Sequence, residues 1–220
     1  MAREGKPERM HRNSVSLCMI VRDAEETIGR AIKSALAIVD EVVVVDMGSA
    51  DNTRLIVEGY GARVIEHDGG DDYAAARNAG IEAAYGDWIL VLDPDEMLDS
   101  IRPVEVGRLV SDDSAIAYWV RVQELDDEGQ PRVGEQVRLF RNDAGARYRF
   151  PVFEEIMPAL ADLAQAQGRE FRSCRIRVRH NPAAAATSQQ RRTRNLRLLQ
   201  GAIADHPDEP WFRFQLARTT

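Results

Sequence analysis

The feature that most constrains this chain is an alternation of two periodicities between Val15 and Leu92. Val15–Val21, Val42–Val45, Ala62–Glu66 and Trp88–Leu92 are short apolar runs, mostly β-branched, of the kind that forms strands buried on both faces. The segments between them read as helices. Ile28, Ala31, Ile32, Ala35 and Ile38 make one helical stripe within Glu25–Ile38. Asn52–Tyr60 has Ser49 or Asp51 as its cap and Gly61 as its stop. Tyr73–Tyr85 is alanine-rich, opened by Asp71 or Asp72 and closed by Gly86. Such a succession predicts an α/β fold with a mostly parallel sheet and helices on both faces. In open sheets of this kind ligands bind beyond the carboxyl ends of the strands, so the residues following each run are the site candidates.

The second half changes character. Val104–Leu109 reads as a helix, Ile116–Leu125 and Val133–Phe140 as strands joined by a turn at 126–129, and Glu155–Ala166 as a helix. Phe171–His180 alternates: Cys174, Ile176, Val178 and His180 share one face, and Arg175, Arg177 and Arg179 the other. Pro182 and the alanine run after it read as a domain edge. Ser188–Asp205 is a helix with Leu196, Leu199 and Ile203 on one side, and Trp211–Arg218 restarts it after a break at 207–210.

The chain's 220 residues suffice for one large domain with a small appendage. A net charge of −7 argues against a nucleic-acid partner, which needs a basic face. Cys18 and Cys174 lie inside strand-like runs and read as buried free thiols rather than a disulfide framework. The apolar run after the polar N-terminus is too short for a secretory signal core, and no segment approaches a membrane span. The expected location is the cytoplasm, with peripheral membrane association left open.

Asp46, at the end of the second run, can accept hydrogen bonds from a base or a ribose hydroxyl, and Gly48 permits a tight turn close to a ligand. After the fourth run comes Asp93-Pro94-Asp95-Glu96. If that backbone is extended, Asp93 and Asp95 face the same way and gather negative charge that a hard cation would neutralise. Taken alone, each motif also fits a well-capped turn or a solvated acidic loop. Their shared sheet edge favours a ligand. Arg77, in the third helix, is placed to counter a diphosphate or to pair with the aspartates.

These stretches together resemble the nucleotide-binding half of family 2 glycosyltransferases, which have the GT-A fold. The resemblance lies in Ser16–Glu25, Val39–Asp51, Asp71–Asn78 and Gly86–Glu96, in that order. It extends to Arg138–Asn142, Val152–Ile156 and Val178–His180. The tail from Thr193 to Arg218 looks like the tetratricopeptide-type helices that often follow this domain. The basic, polar residues 1–13 read as a flexible tail, and the resemblance implies a GT-A domain over 14–183 and a helical extension over 187–220. Within the GT-A domain, 14–98 would bind nucleotide and 99–183 the acceptor.

It also implies roles. Asp23, Asp46, Ser49, Arg77 and Asp93 would contact the nucleotide-sugar. Asp95, with Asp93 and His180, would hold Mn²⁺ or Mg²⁺. Glu154 would be the general base, with Glu155 as runner-up. The sequence departs from the family pattern at Asp23-Ala24, Ala50, Pro94 and Phe153, the last standing where the family has histidine before Glu154.

The implied activity is metal-assisted, inverting transfer of a sugar from a nucleoside-diphosphate donor to an unidentified acceptor. The departures keep a second reading in view, a degenerate domain that binds nucleotide or protein. A nucleotidyltransferase would need a glycine-rich, lysine-bearing loop where Arg22–Glu26 stands, and a dinucleotide oxidoreductase would need Gly-x-Gly-x-x-Gly. Leu196, Leu199, Trp211 and Phe214 are expected to dock back on the domain. If Trp211 and Phe214 were exposed, they would predict a homodimer through the C-terminal helices.

Overall fold

The structure, a computed structural model, describes residues 13–68, 70–99, 101–125, 130–180 and 188–219. The expected flexible tail, apart from Asn13, the turn at 126–129 and the proline–alanine domain edge lie outside the described residues.

The chain runs β1 (Val15–Val21), α1 (Ile28–Ala35), β2 (Glu41–Asp46), α2 (Thr53–Gly59), β3 (Arg63–Glu66), α3 (Tyr73–Ala83) and β4 (Trp88–Val91). It continues with β5 (Glu96–Leu98), α4 (Pro103–Val110), β6 (Ala115–Leu125), β7 (Pro131–Arg141), α5 (Met157–Gln167), β8 (Glu170–His180), α6 (Ser188–Asp205) and α7 (Pro210–Thr219). One eight-stranded sheet has the order β3-β2-β1-β4-β7-β6-β8-β5. Strands β1 to β4 are mutually parallel, with Val21 beside Asp46 and Cys18 beside Val91. Strand β7 then joins β4 antiparallel, so the sheet is mixed.

Alternating residues feed two cores, as a strand buried on both faces requires. Leu17, Met19 and Val21 of β1 pack with Ile28, Ala31 and Ile32 of α1, Val57 of α2 and Val106 of α4. Cys18 faces the other way, toward Ile81 of α3 and Leu160 of α5. The caps follow sequence chemistry. Asp72 accepts from Ala75 N at 2.9 Å at the start of α3, and Gly61 takes φ +72° after α2.

Four features differ from the sequence reading. Helix α1 covers only Ile28–Ala35, because Thr27 and Ala24 make a turn before it. Strand β5 was not anticipated, since three residues carry no periodicity; it exists because β8 pairs with it. The acidic segment is not extended. Glu96 N donates to Asp93 O at 3.0 Å, closing a turn with Pro94 at the position its fixed φ favours. Finally, α6 and α7 dock on the domain through Leu199 and Trp211 as expected, but also through Ala202 and Phe212, while Phe214 stays exposed. Among the described residues no helix is long and apolar enough to cross a membrane.

Candidate active site

Parallel strands β1 to β4 bring their carboxyl ends to one rim, where the expected residues form three groups. In the first, Asp46 Oδ1 accepts from Ser49 N at 2.9 Å and from Ser49 Oγ at 2.7 Å. Asp23 N donates to Ser49 Oγ at 3.1 Å, and Asp23 Oδ1 accepts from Ala50 N at 2.7 Å. Asp23, Asp46 and Ser49 therefore lock the β1 and β2 loops together. Asp23 itself sits at φ +49°, and Gly48 at φ +88° has open space where a side chain would be. Arg22 ties the same rim to the loop before α3, donating to Met47 O, Gly70 O and Asp71 Oδ1, each at 2.8 Å.

The second group is a partly buried chain of ion pairs, with Arg138 and Glu96 its buried end. Arg77 Nε donates to Glu154 Oε1 at 2.6 Å, and Arg77 Nη2 to Asp93 Oδ1 at 2.8 Å. Arg138 Nη2 bridges Asp93 Oδ2 at 3.2 Å and Glu96 Oε1 at 2.6 Å. Burial opposes the charge on Asp93, but Arg138 and Arg77 outweigh it and hold the carboxyl well below the ordinary carboxylate range. Burial, reinforced by the charge of Asp93, pushes Glu96 up to about 7 despite Arg138. Burial also raises Tyr148, whose ring lies 5.4 Å under the Arg77 guanidinium, to about 12.

The third group is a pair. His180 Nε2 lies 2.7 Å from Asp95 Oδ2, because β5 and β8 set Glu96 opposite His180. Asp93 and Asp95 thus do not face one ligand together. The turn at Pro94 gives Asp93 to two guanidinium groups and Asp95 to the imidazole. Among the described residues no cluster of three or more His, Cys, Asp or Glu is arranged to hold a metal. Asp95 and His180 offer one oxygen and one nitrogen donor. That set fits a small divalent cation sharing its remaining positions with diphosphate oxygens and water.

Glu155 flanks the second group. Its backbone exchanges both hydrogen bonds with Arg149 at 2.9 Å, and burial, then the charge of Glu154, raises its carboxyl. Arg138 and Glu96 had no assigned role in the sequence reading. Only the antiparallel pairing of Leu139 with Leu90 sets Arg138 beside the acidic turn, a relation no local pattern carries.

Comparison with known proteins bears on the family and the fold. The profile of glycosyl transferase family 2 matches residues 16–159. A TPR repeat-containing protein of Synechococcus elongatus is 38% identical over 205 residues, covering 90% of this chain and 50% of that protein. The succinoglycan biosynthesis protein ExoO of Rhizobium meliloti is 40% identical over 139 residues, 60% of this chain and 38% of its own length. The chain thus spans half or less of these curated relatives.

Among solved structures, S. aureus TarS in complex with UDP-GlcNAc has a TM-score of 0.63 at 14% identity, covering 87% of this chain and 66% of that one. Glucosyl-3-phosphoglycerate synthase of Mycobacterium tuberculosis, with Mn²⁺, UDP and phosphoglyceric acid, has a TM-score of 0.58 at 18% identity, over 86% and 78% of the two chains. At these identities the likeness shows the GT-A fold. With the family profile covering most of its length, the chain belongs to glycosyl transferase family 2.

Proposed function

We propose that the chain is a nucleotide-sugar-dependent glycosyltransferase that transfers with inversion, with Glu154 as general base. One observation carries this reading. Glu154, from the loop before α5, is joined through Arg77 to Asp93 at the end of β4, so a carboxylate from the second half of the chain sits at the strand-end rim. The two solved neighbours hold UDP-GlcNAc in one case and UDP with Mn²⁺ in the other, which supports a UDP-sugar as the first donor to test.

In this reading Asp46, Ser49 and Asp23 line the base and ribose subsite, and Arg77 and Asp93 face the diphosphate. Asp95 and His180 would hold Mn²⁺ or Mg²⁺, which when bound supplies Lewis-acid stabilisation of the leaving diphosphate. Glu154 takes the proton from the acceptor hydroxyl as its oxygen bonds to the anomeric carbon. The carbon–oxygen bond to the diphosphate breaks, and the nucleoside diphosphate leaves with the electron pair. Attack from the face opposite the leaving group inverts the anomeric centre. Arg77, donating to one oxygen of Glu154, fixes the carboxylate's orientation and leaves the other oxygen for the proton.

The test is UDP binding by calorimetry with and without Mn²⁺, followed by UDP-GlcNAc hydrolysis, in which water stands in for the acceptor. Binding should be tighter with Mn²⁺ than without it. Glu154→Gln should retain it and lose turnover. Full turnover in Glu154→Gln rejects the base assignment; binding of UDP with no turnover of any donor by the parent returns the degenerate-module reading.

A further inference from the structure

The loop that presents Glu154 does not hold its own shape. Phe150 and Phe153 lie at φ +69° and +54°, in the left-handed region that bulky side chains avoid. The domain's backbone hydrogen bonds reach it at its ends and at Pro151. Arg149 and Glu155 exchange two backbone bonds at 2.9 Å, and Tyr73 N donates to Pro151 O at 2.8 Å. Between those anchors Phe150, Val152 and Phe153 pack in neither sheet core. They form a separate cluster with Leu199 and Ala202 of α6 and Phe212 of α7.

Trp211 of α7 is the centre of this arrangement. Its ring stacks on Phe150 at 5.5 Å and 17°, and Phe212 meets Phe150 edge-on at 5.5 Å and 79°. Its indole Nε1 donates to Phe153 O at 3.1 Å. That carbonyl belongs to the peptide group whose nitrogen is the backbone nitrogen of Glu154. Holding the carbonyl fixes the plane of that peptide, and hence the direction in which the Glu154 side chain leaves the backbone. Helix α6 is tied to the same rim from another side: Arg197 pairs with Asp71, which also holds Arg22.

The geometry points to Trp211 as a positioning residue for Glu154, and to the α6–α7 pair as a working part of the active site rather than an appended module. Phe153, where the family pattern has histidine, packs its ring in this same cluster. The inference rests on Glu154 as the base. A carboxylate misplaced by about 1 Å loses of order a hundredfold in rate, so a partly released loop is expected to cost about tenfold.

The test uses the full chain with Trp211→Phe, which keeps a ring and removes the donor, Trp211→Ala, and Arg213→Ala on the exposed side of α7 as control. UDP-GlcNAc hydrolysis in Mn²⁺, UDP affinity and amide hydrogen exchange are measured on each. Trp211→Phe should lower kcat about tenfold, leave UDP affinity within about twofold, and raise exchange over 150–155 but not over β1 or β2. Trp211→Ala should do more of the same. Unchanged exchange over 150–155 in Trp211→Phe overturns the inference, and so does raised exchange with unchanged kcat. An inert Glu154→Gln beside an unimpaired Trp211→Phe leaves the base reading intact and removes this one. A fully active Glu154→Gln beside an impaired Trp211→Phe removes the base reading and leaves the loop contact established.

Discussion

Replacing Arg138 by methionine tests whether the ion-pair chain under the acidic turn stabilises the fold. The Arg138 side chain is 10% exposed and is, among the described residues, the only side-chain cation paired with Glu96, while Asp93 keeps Arg77. Removing one partner of a buried pair costs about 3–5 kcal/mol, because a charge is left without compensation. Two features reduce that figure here. Glu96, pushed up to about 7, can accept a proton near neutrality instead of staying charged. Arg138 Nε is buried with no hydrogen-bond partner among the described residues, and methionine removes that unsatisfied donor. The expected loss is then about 2–3 kcal/mol, or a fall in Tm of roughly 5–10 °C for a chain of this size. Differential scanning calorimetry at pH 7 reads it. Arg54→Met, which removes surface pairs with Glu58 and Glu66, serves as control and should leave Tm unchanged. A Tm for Arg138→Met within about 2 °C of the parent, or indistinguishable from the control, refutes the reasoning.

Further outcomes follow from the same geometry. Gly86→Ala would set a Cβ 2.5 Å from Ser16 Oγ and 2.7 Å from Ser16 N, where backbone cannot yield, and should cost about 1–3 kcal/mol or more. Gly107→Ala, with nothing within 4 Å, should instead raise stability by about 0.5–1 kcal/mol, and paired thermal melts compare the two. The hydrogen bond from Arg22, reinforced by Arg22 and Arg197 charges, holds Asp71 below its ordinary value against a desolvation cost. A depressed acid stabilises the fold above its unfolded pKa and loses that contribution as pH falls through the folded one. The Tm gap between parent and Asp71→Asn should therefore be open at pH 7 and close in acid below about pH 4, as melts across pH will show. Asp95→Asn and His180→Gln should each weaken Mn²⁺-dependent UDP binding at least about tenfold without altering metal-free binding, measured by calorimetry; an Mn²⁺ dependence unchanged from the parent in both variants counts against this metal site.

Much of the fold is legible from local pattern. The strand runs from Val15 to Leu92 and the stripe of α1 are recognisable because each residue's burial follows its own position in a period of 2 or 3.6. The same holds for β8, where Ile176 and Val178 are buried between exposed arginines. Parallel pairing then implies the rim, so Asp46 and Asp93 stand out as candidates there with Arg77 near them, while Asp23 and Ser49 enter through the family resemblance. What the pattern could not carry is which partner each group meets. The reading of Asp93 and Asp95 as side by side assumed extended backbone, and the Glu96-to-Asp93 hydrogen bond made a turn instead.

The sequence by itself determined the elements, their faces and the edge at which ligand chemistry can gather, because those depend on neighbours a few residues apart. Only tertiary structure decided that Arg138 meets Glu96 across 42 residues, that Trp211 meets Phe153 across 58, and that His180 meets Asp95 across 85. Those contacts form only after the sheet has closed in one strand order. Their energy depends on burial and geometry that no short stretch of chain contains.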